Sequence, residues 1–211
     1  MKIDKGANWQ SSNTQVFWGE IAPCNHLVQI YENDEVFMHS LEEFAAHGID
    51  TGEAVIIIAT EDHLKELEKH LLSRGLNLEA LMADNLYIPL CAEKTLSSFM
   101  VIGWPDKELF SQMVTHLVNR AKGKGRRVRA FGEMVALLWA KGQSGATVQL
   151  EYLWNKFCET EDFCLFCAYP KSGFTDDPHT SMTHICSTHT KVIAGWKPEN
   201  KSEIVYQQGG Y

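Results

Sequence analysis

The chain has 211 residues, of which 45% are hydrophobic and 22% charged, and its formal net charge is −8 at pH 7. This length and composition are typical of a globular domain with a substantial core and exclude a largely disordered chain. The negative charge argues against direct binding of nucleic acids or anionic membranes, because their surfaces would repel it. No apolar run approaches the ~20 residues that span a bilayer, so we expect no membrane segment.

The two ends of the chain are polar and carry little periodic pattern. The N-terminus lacks the hydrophobic segment of a signal peptide, and six cysteines without such a signal indicate reduced thiols in the cytoplasm. We therefore expect a cytoplasmic protein. Residues 1–20 are predicted to form an N-terminal arm, residues 21–195 a single domain, and residues 196–211 a C-terminal tail.

The first predicted strand, Leu27–Tyr31, runs directly into a predicted helix, Glu35–His47. A nucleotide-binding α/β domain places its phosphate loop at such a junction, with glycines for close backbone approach and a lysine for the β- and γ-phosphates. The turn between this strand and helix reads Tyr-Glu-Asn-Asp-Glu, with three acids and neither glycine nor lysine. Carboxylates there would repel a triphosphate, so the pattern favours sensing over nucleotide turnover.

Strand and helix signals then alternate along the chain. Ala54–Ala59 is a continuous apolar run, as expected for a strand that is covered on both faces. Further strands are predicted at 85–90, 128–131 and 163–169, further helices at 61–72, 106–121, 132–139, 146–159 and 180–193, and the segment 94–102 is ambiguous. This alternation predicts an α/β fold with three α-β-α layers and a mostly parallel central sheet.

A set of short motifs occurs in a characteristic order. They are His26-Leu-Val-Gln-Ile-Tyr31, Gly52-Glu53 before the strand Val55–Ala59, Phe131-Gly-Glu-Met-Val135, Leu138-Trp139, Leu150-Glu151 with Trp154-Asn155, Cys167-Ala-Tyr-Pro170, and Ile185-Cys186 with His189. In this order the motifs resemble the MEDS family, the methanogen/methylotroph sensory domain of DcmR-type regulators and some sensor kinases. The resemblance covers roughly residues 24–193.

The resemblance carries expectations of its own. It implies a RecA/KaiC-like fold, similar to P-loop NTPases but without a Walker A loop. It also implies a sensory role in signal transduction and transcription regulation, with hydrocarbon-derived small molecules as the ligand class. We expect no cofactor. No helix-turn-helix, kinase or transmembrane segment is visible, so we expect output through a separate partner protein, a regulator or a kinase.

Ligand-binding candidates lie at the predicted carboxyl edge of the sheet, where open α/β sheets collect ligands. Glu133 directly follows one strand, and the acidic turn follows another. Each candidate has a structural alternative: Glu133 would serve as a networked carboxylate, and Asn33 or Asp34 would cap the following helix. Two aromatic residues flank the end of the last predicted strand and are candidates for a pocket wall. The candidates are therefore Tyr31, Glu32, Asp34, Glu133, Tyr169 and Phe174.

Histidines and cysteines give weaker signals. His26 and His189 are candidate switch residues, although a strand start such as His26 lies away from the carboxyl edge, and a structural hydrogen bond is the alternative. We expect no metal site, since Cys164 and Cys167 lie three apart in a strand and point to opposite faces. On the predicted last helix, Cys186 and His189 could share a face, whereas His184 and His189 could not.

Three functions are compatible with this pattern. The first is a non-catalytic sensory domain that binds a small molecule and signals through a partner. The second is a small enzyme in which Glu133, with Asp34 or Glu32, acts as acid and base or anchors a metal. The third is an interaction module that works as a homodimer through the N-terminal arm. Carboxylates that converge in a closed pocket would favour the enzyme; carboxylates with separate structural partners would disfavour it.

Overall fold

The computed structural model describes residues 9–12, 18, 26–123, 125–174, 177–195 and 203–207. Among these, eight strands form one sheet and two short strands form a hairpin. The strands are β1 (Trp9–Ser12), β2 (His26–Tyr31), β3 (Ala54–Ala59), β4 (Tyr87–Cys91), β5 (Met100–Val101), β6 (Trp104–Pro105), β7 (Val128–Gly132), β8 (Cys164–Pro170), β9 (Lys191–Gly195) and β10 (Glu203–Gln207). The helices are α1 (Asp34–Asp50), α2 (Glu61–Ser73), α3 (Leu78–Ala83), α4 (Ala92–Ser97), α5 (Lys107–Lys122), α6 (Met134–Ala140), α7 (Ser144–Thr160) and α8 (Pro178–Ser187).

The sheet has the strand order β1-β10-β9-β2-β8-β7-β3-β4. The six strands from β9 to β4 are all parallel, whereas β10 and β1 pair antiparallel at the β9 side. Every residue of β3 is buried, because helices cover both faces of the parallel part. The predicted three-layer α/β fold with a mostly parallel sheet is confirmed.

Two apolar cores lie on opposite faces of this sheet, because successive residues of a strand point to opposite sides. One core packs α1, α2 and α3 against the sheet, with Leu27 and Tyr31 of β2 and Phe166 of β8 among its members. The other packs α4 to α8 against the opposite face, with Val28 of β2 and Cys167 of β8. The alternation of β2 and β8 therefore decides on which face each candidate site residue lies.

The structure corrects the predicted last helix. The predicted helix 180–193 is too long: α8 ends at Ser187, and Lys191–Gly195 forms the parallel strand β9 beside β2. The β-branched pair Val192-Ile193 is the strand signal, and the turn through Thr190 separates it from the helix. The ambiguous segment 94–102 divides into the end of α4 and strand β5.

The predicted arm and tail contribute to the sheet. Strand β1 pairs with β10, and β10 pairs with β9. Trp18 is also buried, with its ring 5.2 Å from that of Phe44 and 5.5 Å from that of Phe166. Across the described part of the chain, no helix is both long and apolar enough to cross a membrane.

A buried ion pair holds β7 against the end of α1. Arg129 is 3% exposed and its guanidinium lies 2.6 Å from the Glu53 carboxylate. The guanidinium also donates to the carbonyl of Phe44 at 3.0 Å and lies over the ring of that residue, 5.1 Å from its centre. Gly48 allows this close approach, since a Cβ there would lie 2.6 Å from Arg129 Cδ.

Candidate functional site

The carboxyl edge of the sheet holds a group that we call the edge site, formed by Tyr31, Asp34, Phe37, His63 and Glu133. Glu133 follows β7 and is 7% exposed. Its Oε2 accepts a hydrogen bond from the backbone N–H of Thr60 at 2.8 Å, and its Oε1 lies 2.8 Å from His63 Nδ1. Thr60 and His63 open helix α2, where the Thr60 side chain caps the His63 N–H. Glu133 therefore ties the end of β7 to the start of α2.

Aromatic rings connect this carboxylate to the first strand. Tyr31 ends β2 and stacks on Phe37, with ring centres 4.6 Å apart. Phe37, in the first turns of α1, meets the edge of the His63 ring at 5.0 Å and Phe131 at 5.7 Å. The edge site thus has an apolar wall of stacked rings beside a carboxylate and an imidazole.

Charge and burial shift the titration of two groups in the edge site. Burial, together with the negative charges of Glu133 and Asp34, raises the pKa of Tyr31 well above its usual value. The Glu133 hydrogen bond raises the pKa of His63, against the opposing effect of burial, and the nearby Asp34 and Asp62 act in the same direction. At neutral pH the Tyr31 phenol therefore keeps its proton, and the edge site favours the cationic form of His63.

Because the pKa of His63 is raised in the folded state, its contribution to stability is fully present below the unfolded pKa and is lost as pH rises through the folded pKa. We expect His63→Gln to lower the free energy of unfolding by about 1 kcal/mol more at pH ~6 than at pH ~9. Urea unfolding at both pH values measures this difference. His116→Gln, at an exposed position on α5, is the control. An equal loss at both pH values for His63→Gln would contradict the assigned pairing.

The residues of the acidic turn after β2 have different interaction partners. The Asn33 side chain caps α1 by accepting from the Glu35 N–H at 2.7 Å, and Asp34 comes next as an exposed acid in the first turn. Glu32 points elsewhere and forms an ion pair with Lys171, just beyond the end of β8. Of the three predicted residues in this region, Tyr31 lies close enough to Glu133 and Asp34 to feel both charges, and Glu32 is paired outside the edge site.

Tyr169 and Phe174 lie on the opposite face of the sheet from Tyr31. Phe174 packs on Trp139 with ring centres 5.3 Å apart and on Tyr169 at 6.0 Å. Trp139 Nε1 donates to the carbonyl of Gly173 at 2.7 Å, which fixes this aromatic group. The six candidate residues therefore do not form one site, and Tyr169 and Phe174 lie outside the edge site.

Both predicted switch histidines belong to a second group, on the face of Tyr169. We call it the buried polar cluster: His26, Glu151, Asn155, Cys167, Tyr169 and His189. The two histidine rings lie 4.0 Å apart between centres, and His26 and His189 are only 2% and 3% exposed. Burial lowers the pKa of each histidine to about 4, so both are neutral at pH 7.

Glu151 stands at the middle of the buried polar cluster. Its Oε1 accepts from the Tyr169 hydroxyl at 2.5 Å, while its Oε2 lies 3.6 Å from His26 Nε2 and 3.5 Å from His189 Nε2. Burial raises the pKa of Glu151. In the sequence, Glu151 and Asn155 stand out only as family landmarks, because nothing in their spacing indicates that α7 faces both histidines. His189 itself lies beyond the end of α8, in the turn before β9.

Comparison with models of known protein families shows the family to which this chain belongs. The model of MEDS, the MEthanogen/methylotroph, DcmR Sensory domain, matches residues 25–190. The chain belongs to the MEDS family. Every residue of the edge site and of the buried polar cluster lies within the matched range, so both groups are parts of the MEDS domain.

Solved structures show which fold this MEDS domain shares. FlaH, a flagellar accessory protein from Methanocaldococcus jannaschii, aligns with a TM-score of 0.59 at 10% identity, over 90% of this chain and 80% of that chain. The KaiC-like protein PH0186 from Pyrococcus horikoshii OT3 gives 0.57 at 12% identity, over 96% and 88%. The protein studied as PH0250 from the same organism gives 0.58 at 11% identity, over 86% of each chain. The predicted RecA/KaiC-like fold is confirmed, and no curated protein matches the sequence.

Proposed function

We propose that this MEDS domain is a non-catalytic sensor that binds a small molecule at the edge site and passes the change to a separate output protein, a regulator or a kinase. The observation that carries the proposal is the dual contact of Glu133 with the Thr60 N–H and with His63. A ligand that competes for this carboxylate would release the first turn of α2 from the end of β7. Binding would thereby become a movement of a helix.

Several contacts speak against nucleotide hydrolysis at the edge site. The first turn of α1, where a phosphate would meet helix N–H groups, carries the acids Asp34 and Glu35 and is closed by the Asn33 cap. Catalysis of phosphoryl transfer depends on cations that neutralise the developing charge. In the edge site the cationic group is His63, and it is already paired with Glu133. It is therefore not free to neutralise charge on a phosphate.

The same contacts weigh against the enzyme hypothesis. Of the three carboxylates that this hypothesis uses, Glu133 is held by the start of α2, Glu32 pairs with Lys171 outside the edge site, and Asp34 is exposed to solvent rather than enclosed in a pocket. A pair of carboxylates that shares one proton needs close approach. An apolar wall beside a single carboxylate fits recognition of a small molecule with an apolar part, which agrees with the hydrocarbon-derived ligands that the family resemblance implies.

Titration calorimetry with ATP and Mg²⁺ tests the sensory role. We expect no measurable heat and no phosphate release, because the acidic turn repels the triphosphate. Micromolar affinity for ATP with magnesium-dependent hydrolysis would contradict the sensor hypothesis and support the enzyme hypothesis.

A thermal-shift screen of small alcohols, amines and methylated compounds tests the location of the ligand site. A ligand present at about 100 times its Kd stabilises the fold by about 2.7 kcal/mol. We expect Glu133→Gln to abolish the stabilisation, whereas Glu159→Gln, at an exposed carboxylate that pairs with Lys156, leaves it intact. Hydrogen exchange should then be faster in the first turn of α2 when the ligand is bound. Equal stabilisation of both variants would place the ligand elsewhere.

A further inference from the structure

The donor atoms of the buried polar cluster converge from four parts of the chain. His26 opens β2, Cys167 lies within β8, Glu151 projects from α7, and His189 lies in the turn before β9. One ligand atom from each of these four residues lies within 4.8 Å of the other three. All four residues are buried, at 4% exposure or less. The cluster lies on the face of the sheet opposite Tyr31, so it is spatially separate from the edge site.

The hydrogen bonds around the cluster fix where the histidine lone pairs point. His189 Nδ1 lies 2.7 Å from the carbonyl oxygen of Ile185, which only accepts, so Nδ1 carries the proton. His26 Nδ1 likewise donates to Asn155 Oδ1 at 2.7 Å. In each ring the proton lies on Nδ1, and Nε2 faces Glu151 Oε2. Among the described residues, the buried atoms Glu151 Oε2 and His189 Nε2 have no hydrogen-bond partner.

The distances distinguish a hydrogen-bonded network from a ligand shell. The two contacts from histidine Nε2 to Glu151 Oε2, at 3.6 and 3.5 Å, exceed the usual ~2.7–3.2 Å of an N–H···O hydrogen bond. Ligands at about 2.0–2.3 Å from a tetrahedral zinc ion lie roughly 3.3–3.6 Å from one another. The 3.4 Å from His26 Nε2 to Cys167 Sγ fits that range but also fits a thiol hydrogen bond. Only the two contacts to Glu151 therefore favour a ligand shell over a hydrogen-bonded network.

The surrounding contacts match those of metal ligands. Metal-binding histidines usually donate their second ring N–H to a carbonyl or carboxylate oxygen, and metal-binding carboxylates are themselves hydrogen-bonded. Ile185 and Asn155 meet this requirement for the two histidines, and the Tyr169 hydroxyl meets it for Glu151 Oε1. A doubly charged cation would also balance the Glu151 carboxylate and the Cys167 thiolate in a buried region.

We propose that His26, Glu151, Cys167 and His189 bind one zinc ion in a closed tetrahedral site. Two imidazole nitrogens, a carboxylate oxygen and a thiolate are a donor set that suits zinc. Since all four positions are filled by protein, the ion is structural and links β2, β8, α7 and the turn before β9. The sequence predicted no metal site because its spacing compares only residues close in the chain, whereas these ligands come from opposite ends of the domain.

Metal analysis of the full chain, purified without an affinity tag from zinc-supplemented cells, tests the proposal. We expect about one zinc per chain by mass spectrometry of the metal. Removal of zinc with a chelator should lower the melting temperature, and re-addition should restore it. Cobalt added to the zinc-free protein should give tetrahedral d–d bands and a thiolate charge-transfer band. The absence of both zinc retention and cobalt bands in the wild-type protein would overturn the site, whatever the variants do.

Variants then assign the ligands. Competition with a chromophoric chelator should show that Cys167→Ser weakens zinc binding by more than about 100-fold and removes the thiolate band, whereas Tyr169→Phe weakens it by about tenfold. Cys164→Ser is the matched control, because Cys164 is a buried cysteine of the same strand on the opposite face. Equal zinc affinity of the Cys167 and Cys164 variants would overturn the assignment, and circular dichroism checks that each variant is folded.

Discussion

Replacing Glu53 by alanine is expected to lower the free energy of unfolding by about 3–5 kcal/mol. The substitution removes the carboxylate that lies 2.6 Å from the guanidinium of Arg129. Arg129 is 3% exposed, so its charge would stay buried, with the Phe44 carbonyl as its remaining hydrogen-bond acceptor in the described part of the chain. Urea unfolding followed by circular dichroism measures the loss.

Two further variants separate this effect from a general loss of surface charge. Glu159→Ala removes a carboxylate from an exposed ion pair with Lys156 and should cost less than about 1 kcal/mol. Adding Arg129→Met to Glu53→Ala removes the unpaired charge and should recover part of the lost stability. A Glu53→Ala cost no larger than that of Glu159→Ala would show that water reaches Arg129.

Replacing Trp154 by alanine is expected to lower the free energy of unfolding by about as much as Glu53→Ala. Trp154 lies on α7 at 2% exposure, with its ring centre 4.9 Å from that of Phe110 in an edge-to-face contact. Its ring reaches β7, since a Cβ built on Gly132 would lie 4.0 Å from Trp154 Cζ2. We expect Trp154→Ala to cost about 3–5 kcal/mol, because the cavity cannot close between α5, α7 and the sheet.

Matched substitutions on the same helix test this interpretation. Trp154→Phe should cost less than about 2 kcal/mol, because a ring remains and the buried Nε1, which has no partner in the described residues, is removed. Tyr152→Ala, at a residue that is 54% exposed, should stay within about 0.5 kcal/mol of wild type. A Trp154→Ala cost near that of Tyr152→Ala would contradict the assigned packing.

Much of the fold can be predicted from local pattern. The apolar run Ala54–Ala59 and the alternation of strands and helices suffice to predict a parallel sheet covered on both faces. Strand β9 escapes such prediction, because its sequence Lys-Val-Ile-Ala-Gly is short and comes after a helix without a glycine or proline between them. The β-branched pair Val192-Ile193 is a strand signal too short to decide the element alone, and the parallel pairing with β2 decides it.

The sequence likewise predicts some residues of the candidate site and not others. The position of Glu133 directly after a strand predicts its place at the carboxyl edge, and the end of the first strand does the same for Tyr31. His63 stands out in the sequence only as a residue in a capping position, since its contact with Glu133 joins segments that lie beyond different strands. The sequence does not show that the Tyr31 and Tyr169 side chains lie on opposite faces of the sheet, because the face depends on how the two strands pair.

The pairing of β2 has a consequence for how the chain reaches its folded state. This strand is made early, yet its hydrogen-bonded neighbours are β8 and β9, with His26 opposite Leu165 and Leu27 opposite Lys191. During synthesis the backbone amides of β2 therefore lack their sheet partners until β8 and β9 have been made. Contacts that join such distant segments slow folding and expose apolar strands meanwhile. A nascent chain that stops before β8 should consequently be recognised by chaperones and cleaved readily by proteases.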